Sequence, residues 1–118
     1  LPILMFLNLI DVFTPWHLKI IYYFDNPKGR LNDANIVTPN YYMGSPYDPF
    51  LLYYPELNDK KDFVSLIVKE LHRNGILSID GLGTMMTKDG MFAGRLTDYG
   101  KRFYNYIRDY EQNVYLVN

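Results

Sequence analysis

The stretch DKKDFVSLIVKELHRNGIL, from Asp59 to Leu77, sets how the rest of the chain is read. At about 100° per residue, Phe63, Val64, Leu66, Ile67, Val68 and Leu71 fall on one arc and Lys61, Ser65, Lys69, His72 and Arg73 on the opposite one, which predicts an amphipathic helix with one buried side. Asp59-Lys60-Lys61-Asp62 has the form of a capping signature at its start. Asn74-Gly75 ends it, because glycine takes the left-handed conformation that lets the last carbonyls find donors. Glu70 lies near the apolar arc, where a carboxylate needs a partner, and a tyrosine hydroxyl or a basic side chain is expected to supply it.

Working downstream, Ile76-Leu77-Ser78-Ile79 is extended in character. Leu82 to Met86 and Met91 to Leu96 then flank Thr87-Lys88-Asp89-Gly90, whose Asp-Gly pair predicts a β-hairpin. Thr97 caps a last helix carrying Tyr99, Phe103, Tyr106, Ile107 and Tyr110 on one face. The core is expected to unite Phe63, Ile67, Leu71 and Phe103.

Upstream, Ser45-Pro46-Tyr47-Asp48 reads as a capping box opening a short helix through Phe50, Leu51, Leu52 and Tyr54, closed by Pro55. Residues 28 to 44 hold Gly29, Pro39 and Gly44 together with Leu31, Ile36 and Val37, and a short helical turn or edge strand is expected among them, since a structureless loop of that length is unusual in a compact domain. Thr14-Pro15 opens a helix with Trp16, Ile20, Tyr23 and Phe24 at helical spacing, and Asp25-Asn26-Pro27 closes it. Ile3 to Phe13 suits a further short helix.

These elements belong to a chain of 118 residues, 48% of them hydrophobic and 17% aromatic, long enough and apolar enough to bury a core without a metal or a disulfide. Residues 1–118 are read as a single domain, with 1–44 holding the N-terminal helices and an irregular connection. Twelve Lys and Arg against thirteen Asp and Glu leave no global field drawing the domain onto nucleic acid or anionic lipid. There is no cysteine, hence no thiolate zinc site, cysteine nucleophile or disulfide framework. The run Leu1 to Ile10 is apolar but has no basic residue before it, meets Asn8 and Asp11 quickly, and falls far short of the roughly 20 apolar residues of a spanning helix, so neither a signal peptide nor a membrane anchor is expected. A cytoplasmic location is the default reading. Because the chain starts at Leu1 without a Met, it is expected to be a piece of a longer protein.

The order of helices, hairpin and helix from Ser45 to Tyr110 resembles the winged-helix variant of the helix-turn-helix. The resemblance is carried by Val68-Lys69-Glu70-Leu71-His72-Arg73-Asn74-Gly75-Ile76-Leu77 and by Leu96-Thr97-Asp98-Tyr99-Gly100-Lys101-Arg102-Phe103. It implies a mainly α fold with a small β-hairpin, α+β in class, in which 45–110 is the winged-helix-like part and an extra helix precedes it. In DNA-binding members of that superfamily the helix matching Asp59 to Asn74 enters the major groove. Carried over position by position, the nucleic-acid-binding candidates are Lys61, Ser65, Lys69 and Arg73, with Lys88 at the wing tip and Arg95 beside it.

No enzyme motif is present: there is no nucleophile elbow, phosphate loop or paired-carboxylate motif, and Gly81-Leu82-Gly83 is explained by backbone freedom at the foot of the hairpin. His17 and His72 lie on different helices without a second ligand at metal spacing, so no metal or cofactor is expected. Most of the twelve tyrosines fall at core spacing. The first helix, with Leu4, Phe6, Leu7, Ile10 and Phe13, is too apolar to lie alone on a surface and packs into its own core or across an interface with a second copy, a parent chain or another protein. Two functions follow. One is a protein-interaction or oligomerisation module of a larger protein, favoured by the near-neutral charge; the other is a DNA-binding winged helix of the transcriptional-regulator kind.

Overall fold

The structure, a computed structural model, describes residues 2–117, with side chains from 4 to 109. The expected core positions Ile3 and Tyr110 lie outside the described side chains. Helix α1 (Pro2–Val12) turns sharply into α2 (Pro15–Asp25). At that turn Thr14 is extended, Pro15 supplies its fixed φ to the first helical position, and the Thr14 N–H donates to His17 Nδ1 at 3.0 Å. Pro27 ends α2 and starts α3 (Pro27–Asp33), whose first turn is closed by the Asn26 side chain accepting from the Gly29 N–H at 3.1 Å. Strand β1 (Met43–Gly44) follows, so residues 28–44 contain both a helix and an edge strand.

Helix α4 (Tyr47–Tyr53) begins as half of the expected capping box: Asp48 accepts from the Ser45 N–H at 2.9 Å. Pro55 stops it and opens a single 3-10 turn, Pro55–Leu57, that runs straight into α5 (Lys61–Arg73). That turn corrects the start of α5. The Lys60 N–H is held by Leu57 O, the cap position falls on Lys60, and the Asp59 carboxylate, which was expected to cap, instead lies 3.6 Å from the Lys60 ammonium. Helix α5 ends as its sequence dictates, with Gly75 at φ 77° and the Ile76 N–H bonded to Leu71 O at 2.9 Å.

Between Gly75 and the last helix the expected hairpin is not formed. Strand β2 (Met86–Thr87) pairs antiparallel with β1, Met43 opposite Thr87 and Gly44 opposite Met86. Lys88-Asp89-Gly90, expected at the hairpin turn, winds instead into a short helix α6 (Lys88–Met91). The cause is burial: Leu82, Met91 and Phe92 are all in the core, and the segment bends inward to place them there. Thr87, extended and followed by Asp89 in the first turn, is also a good helix start. A single antiparallel bridge, Leu77 to Leu96, closes the base of this excursion, with the Ser78 N–H on Arg95 O at 2.8 Å and the Thr97 N–H on Ile76 O at 3.0 Å.

Helix α7 (Asp98–Val117) starts under the Thr97 hydroxyl, which accepts from the Gly100 N–H at 2.9 Å. Gly100 also lets the Ile76 carbonyl approach the helix; a Cβ there would collide with that oxygen. Helix α2 lies at the centre, packed on both α5 and α7. Phe6 from α1 meets Tyr99, Phe103 and Tyr106 of α7, and Phe24 stacks on Phe50 of α4 at 5.7 Å. The whole is mainly helical with one small two-stranded antiparallel sheet, an α+β arrangement. Among the described residues no single helix is long and apolar enough to cross a membrane.

Candidate functional site

Two surfaces collect the residues the sequence singled out. The first is the outer side of α5. Lys61, Lys69 and Arg73 are exposed there, Ser65 is half-buried among them, and spacing of four residues keeps the set on one side of the helix. Lys69 and Arg73 have no ion pair among the described residues, while the Lys61 ammonium sits 5.1 Å from the Tyr47 ring centroid. Asp62 is exposed on the same first turn.

The other two basic candidates are not brought to this side as a hairpin tip would bring them. Lys88 is exposed, but as the first residue of α6, which packs on α4 and the two strands. Arg95 is half-buried and occupied structurally: its Nη2 donates to Gly90 O at 2.7 Å, and its backbone N–H donates to Phe24 O at 2.9 Å. It pins α6 to the core rather than projecting toward a ligand.

The second surface is α1. Phe6 and Phe13 belong to the chain's own core, and Ile10 is half-buried against it. Leu4 and Leu7 point outward, 61% and 40% exposed, with Met5 and Val12, which sequence reasoning did not single out, at 52% and 65%. A second exposed apolar edge was also unforeseen. Phe63, expected in the core, is 39% exposed and Leu66 is 62% exposed, because the elements packed on α5 cover only its Val64, Ile67, Val68 and Leu71 side.

Glu70, at the border of that edge, is partly exposed and has a basic side chain beside it, as expected. His17 Nε2 lies 3.2 Å from Glu70 Oε2. The tautomer follows from the other ring nitrogen: Nδ1 accepts the Thr14 N–H, so in the neutral ring the proton is on Nε2 and is donated to Glu70. The ring also stacks on Phe13 at 4.9 Å, so one side chain ties the α1–α2 turn to α5. His72 is separate, bonded through Nδ1 to Leu77 O at 3.1 Å. No group of three His, Cys, Asp or Glu side chains among the described residues could hold a metal ion.

The tyrosines serve packing for the most part. Tyr54 donates to Lys19 O at 2.8 Å, and burial pushes its hydroxyl well above the ordinary tyrosine range. Tyr23 is fully buried among Phe24, Phe50 and Tyr53, and its hydroxyl has no hydrogen-bond partner among the described residues; desolvation, reinforced by Tyr41, Tyr54 and Tyr53, raises its pKa strongly. Compared with known proteins, the chain matches no family model, no curated protein and no solved structure.

Proposed function

We propose that this chain is a protein-interaction or oligomerisation module of a larger protein, built on a winged-helix-like plan and engaging its partner through the outer side of α1. The observation carrying this reading is the exposure of Leu4, Met5, Leu7 and Val12 on a helix whose other side is anchored in the core by Phe6 and Leu9, with Phe13 just beyond its end. Full burial of each such side chain is worth roughly 1.5 to 3 kcal/mol, so covering the four would contribute several kcal/mol to an association. A helix already fixed in place also binds without a large ordering cost.

The test uses surface changes, since deleting α1 would remove Phe6 and Leu9 from the core. Leu7→Glu with Val12→Glu should abolish self-association, read as mass in solution over a concentration series, or capture of the partner segment, and should leave the melting temperature within a few degrees. A double variant that associates as the parent does would overturn the reading.

A second reading, a DNA-binding winged helix, draws support from Lys61, Lys69 and Arg73 on the exposed side of α5 and from the Leu77–Leu96 bridge that follows. With Arg95 occupied and Asp62 beside Lys61, the set is small. Fluorescence anisotropy against random duplex at two salt concentrations should then show only nonspecific affinity, about 10⁻⁴ M or weaker at physiological salt. Submicromolar binding lost on Lys69→Glu with Arg73→Glu would establish the DNA reading in its place.

A further inference from the structure

A cleft between α2 and α7 stands apart from both of those surfaces. It has a volume of about 380 Å³ and is lined by Ile21, Ile107, Tyr22 and Tyr104, with Lys19 and Arg108 also in its lining. That volume lies at the lower end of the range for small-molecule sites, roughly 300 to 1,000 Å³.

The walls are held in place by a group that is itself neutralised. The Arg30 guanidinium lies 3.7 Å from the Tyr22 ring centroid, donates to the Tyr104 hydroxyl at 3.0 Å and pairs with Asp25 at 3.3 Å. Arg30 therefore fixes the rings without adding free charge. Lys19 and Arg108 differ. Both are exposed and no carboxylate lines the cleft among the described residues; the Lys19 ammonium lies 4.5 Å from the Trp16 ring centroid with no ion pair there, and the Arg108 guanidinium, 5.7 Å from the Tyr104 ring centroid, has a long 3.9 Å approach from its exposed neighbour Asp109.

Charge complementarity thus points to a ligand with an apolar body and one anionic end. The lining residues sit inside α2 and α7, where backbone amides are already used by the helices, so recognition of the anion falls to the two side chains alone. The arginine fork can grip a carboxylate or a phosphate with two donors, but the cleft lacks the backbone amide nest that phosphate sites commonly add, which leaves a carboxylate as the better match. We propose that the cleft binds a small organic carboxylate with an apolar acyl or aryl body. Such a ligand touches α2 and α7 at once and stabilises the packing between them.

The experiment is a titration of the full chain with octanoate, octan-1-ol and octylammonium at matched ionic strength, followed by calorimetry and by amide chemical shifts. Octanoate is expected to bind saturably at one site with a Kd on the order of 0.1 to 1 mM, and the alcohol and the amine at least about tenfold more weakly. Arg108→Gln and Lys19→Gln should each weaken octanoate by about threefold or more and leave octanol unchanged. Ile107→Trp, which puts a larger side chain into the lining, should remove binding of all three. The two charge variants alter exposed side chains, so the result stands even if the tryptophan variant fails to fold. Equal affinity for octanol and octanoate would overturn anion recognition. No saturable binding up to about 10 mM, or unchanged affinity in both charge variants, would overturn the site.

Discussion

Around Gly75 the hydrogen bonds that end α5 are local: the Gly75 N–H reaches His72 O at 3.0 Å and the Ile76 N–H reaches Leu71 O at 2.9 Å. Between Ile79 and Leu96 the partners come from far along the chain. Met86 and Thr87 pair with β1, and the Arg95 N–H reaches Phe24 O. Both regions carry strong short-range signals, Asn74-Gly75 in one and Asp89-Gly90 in the other. Only the first is obeyed, because there the local conformation and the burial of Leu71 and Ile76 agree. In the second, a local hairpin would compete with the burial of Leu82, Met91 and Phe92, and burial prevails.

The largest effect should come from the long-range core itself. Phe103 is buried against Phe6 and Phe13, and Phe103→Ala should cost about 3 to 5 kcal/mol, read from denaturant unfolding. Phe63→Ala is its control and should cost less than half as much, given its exposed ring; equal losses would return Phe63 to the core.

Next come the two glycines of the junction. Gly100→Ala should cost about 1 to 3 kcal/mol by forcing α7 away from the Ile76 carbonyl, and Gly75→Val at least about 1 kcal/mol through its positive φ. A neutral Gly100→Ala would mean that α7 and the Ile76 segment are not held together as described.

Arg95 sharpens the contrast between a wing residue and an anchor. Arg95→Gln removes a hydrogen bond from a charged donor to Gly90 O and should cost about 1 to 2 kcal/mol, with no change in affinity for DNA duplex. A variant of unchanged stability but weakened DNA binding would restore the residue to a recognition role.

The smallest effect is expected at Tyr23. Its hydroxyl is buried without a partner among the described residues, so Tyr23→Phe loses no hydrogen bond and should stay within about 0.5 kcal/mol of the parent, or gain slightly. The same residue has a pH signature. Burial raises its pKa above the ordinary 10.0, so the unfolded chain loses that proton first; the stability is fully present below pH 10 and is lost as pH rises beyond it. Melting temperatures between about pH 9 and pH 11 should therefore fall less in Tyr23→Phe than in the parent. Parallel curves would show that Tyr23 does not contribute to alkaline unfolding.

Much of the helical framework was legible because its signals act over three or four residues. Thr14-Pro15, Ser45 with Asp48, Asn74-Gly75 and Thr97 each fall at a helix end. Asp59 failed as a cap because the 3-10 turn before α5 already fixed how the chain enters, a feature set by Pro55 and the burial of Leu57. The periodicity of α5 marked its apolar arc but not how much of that arc other elements would cover, and so misplaced Phe63. In the candidate surfaces, Lys61, Lys69 and Arg73 were legible as an exposed side of α5, whereas the roles of Lys88 and Arg95 depended on a hairpin that burial displaced.

By itself the amino-acid sequence determined most of the main helix ends, the amphipathic character of α5, and that Glu70 suits a basic or hydroxyl partner. Backbone conformation and capping are settled within a turn of chain, so their signals sit next to one another. Only the tertiary structure decided that the partner is His17, 53 residues away, that β2 joins β1, that α1 splits into an anchored and an exposed side, and that α2 and α7 leave a cleft between them. Those outcomes depend on which distant apolar surfaces cover one another, a choice made by the summed burial of the whole chain.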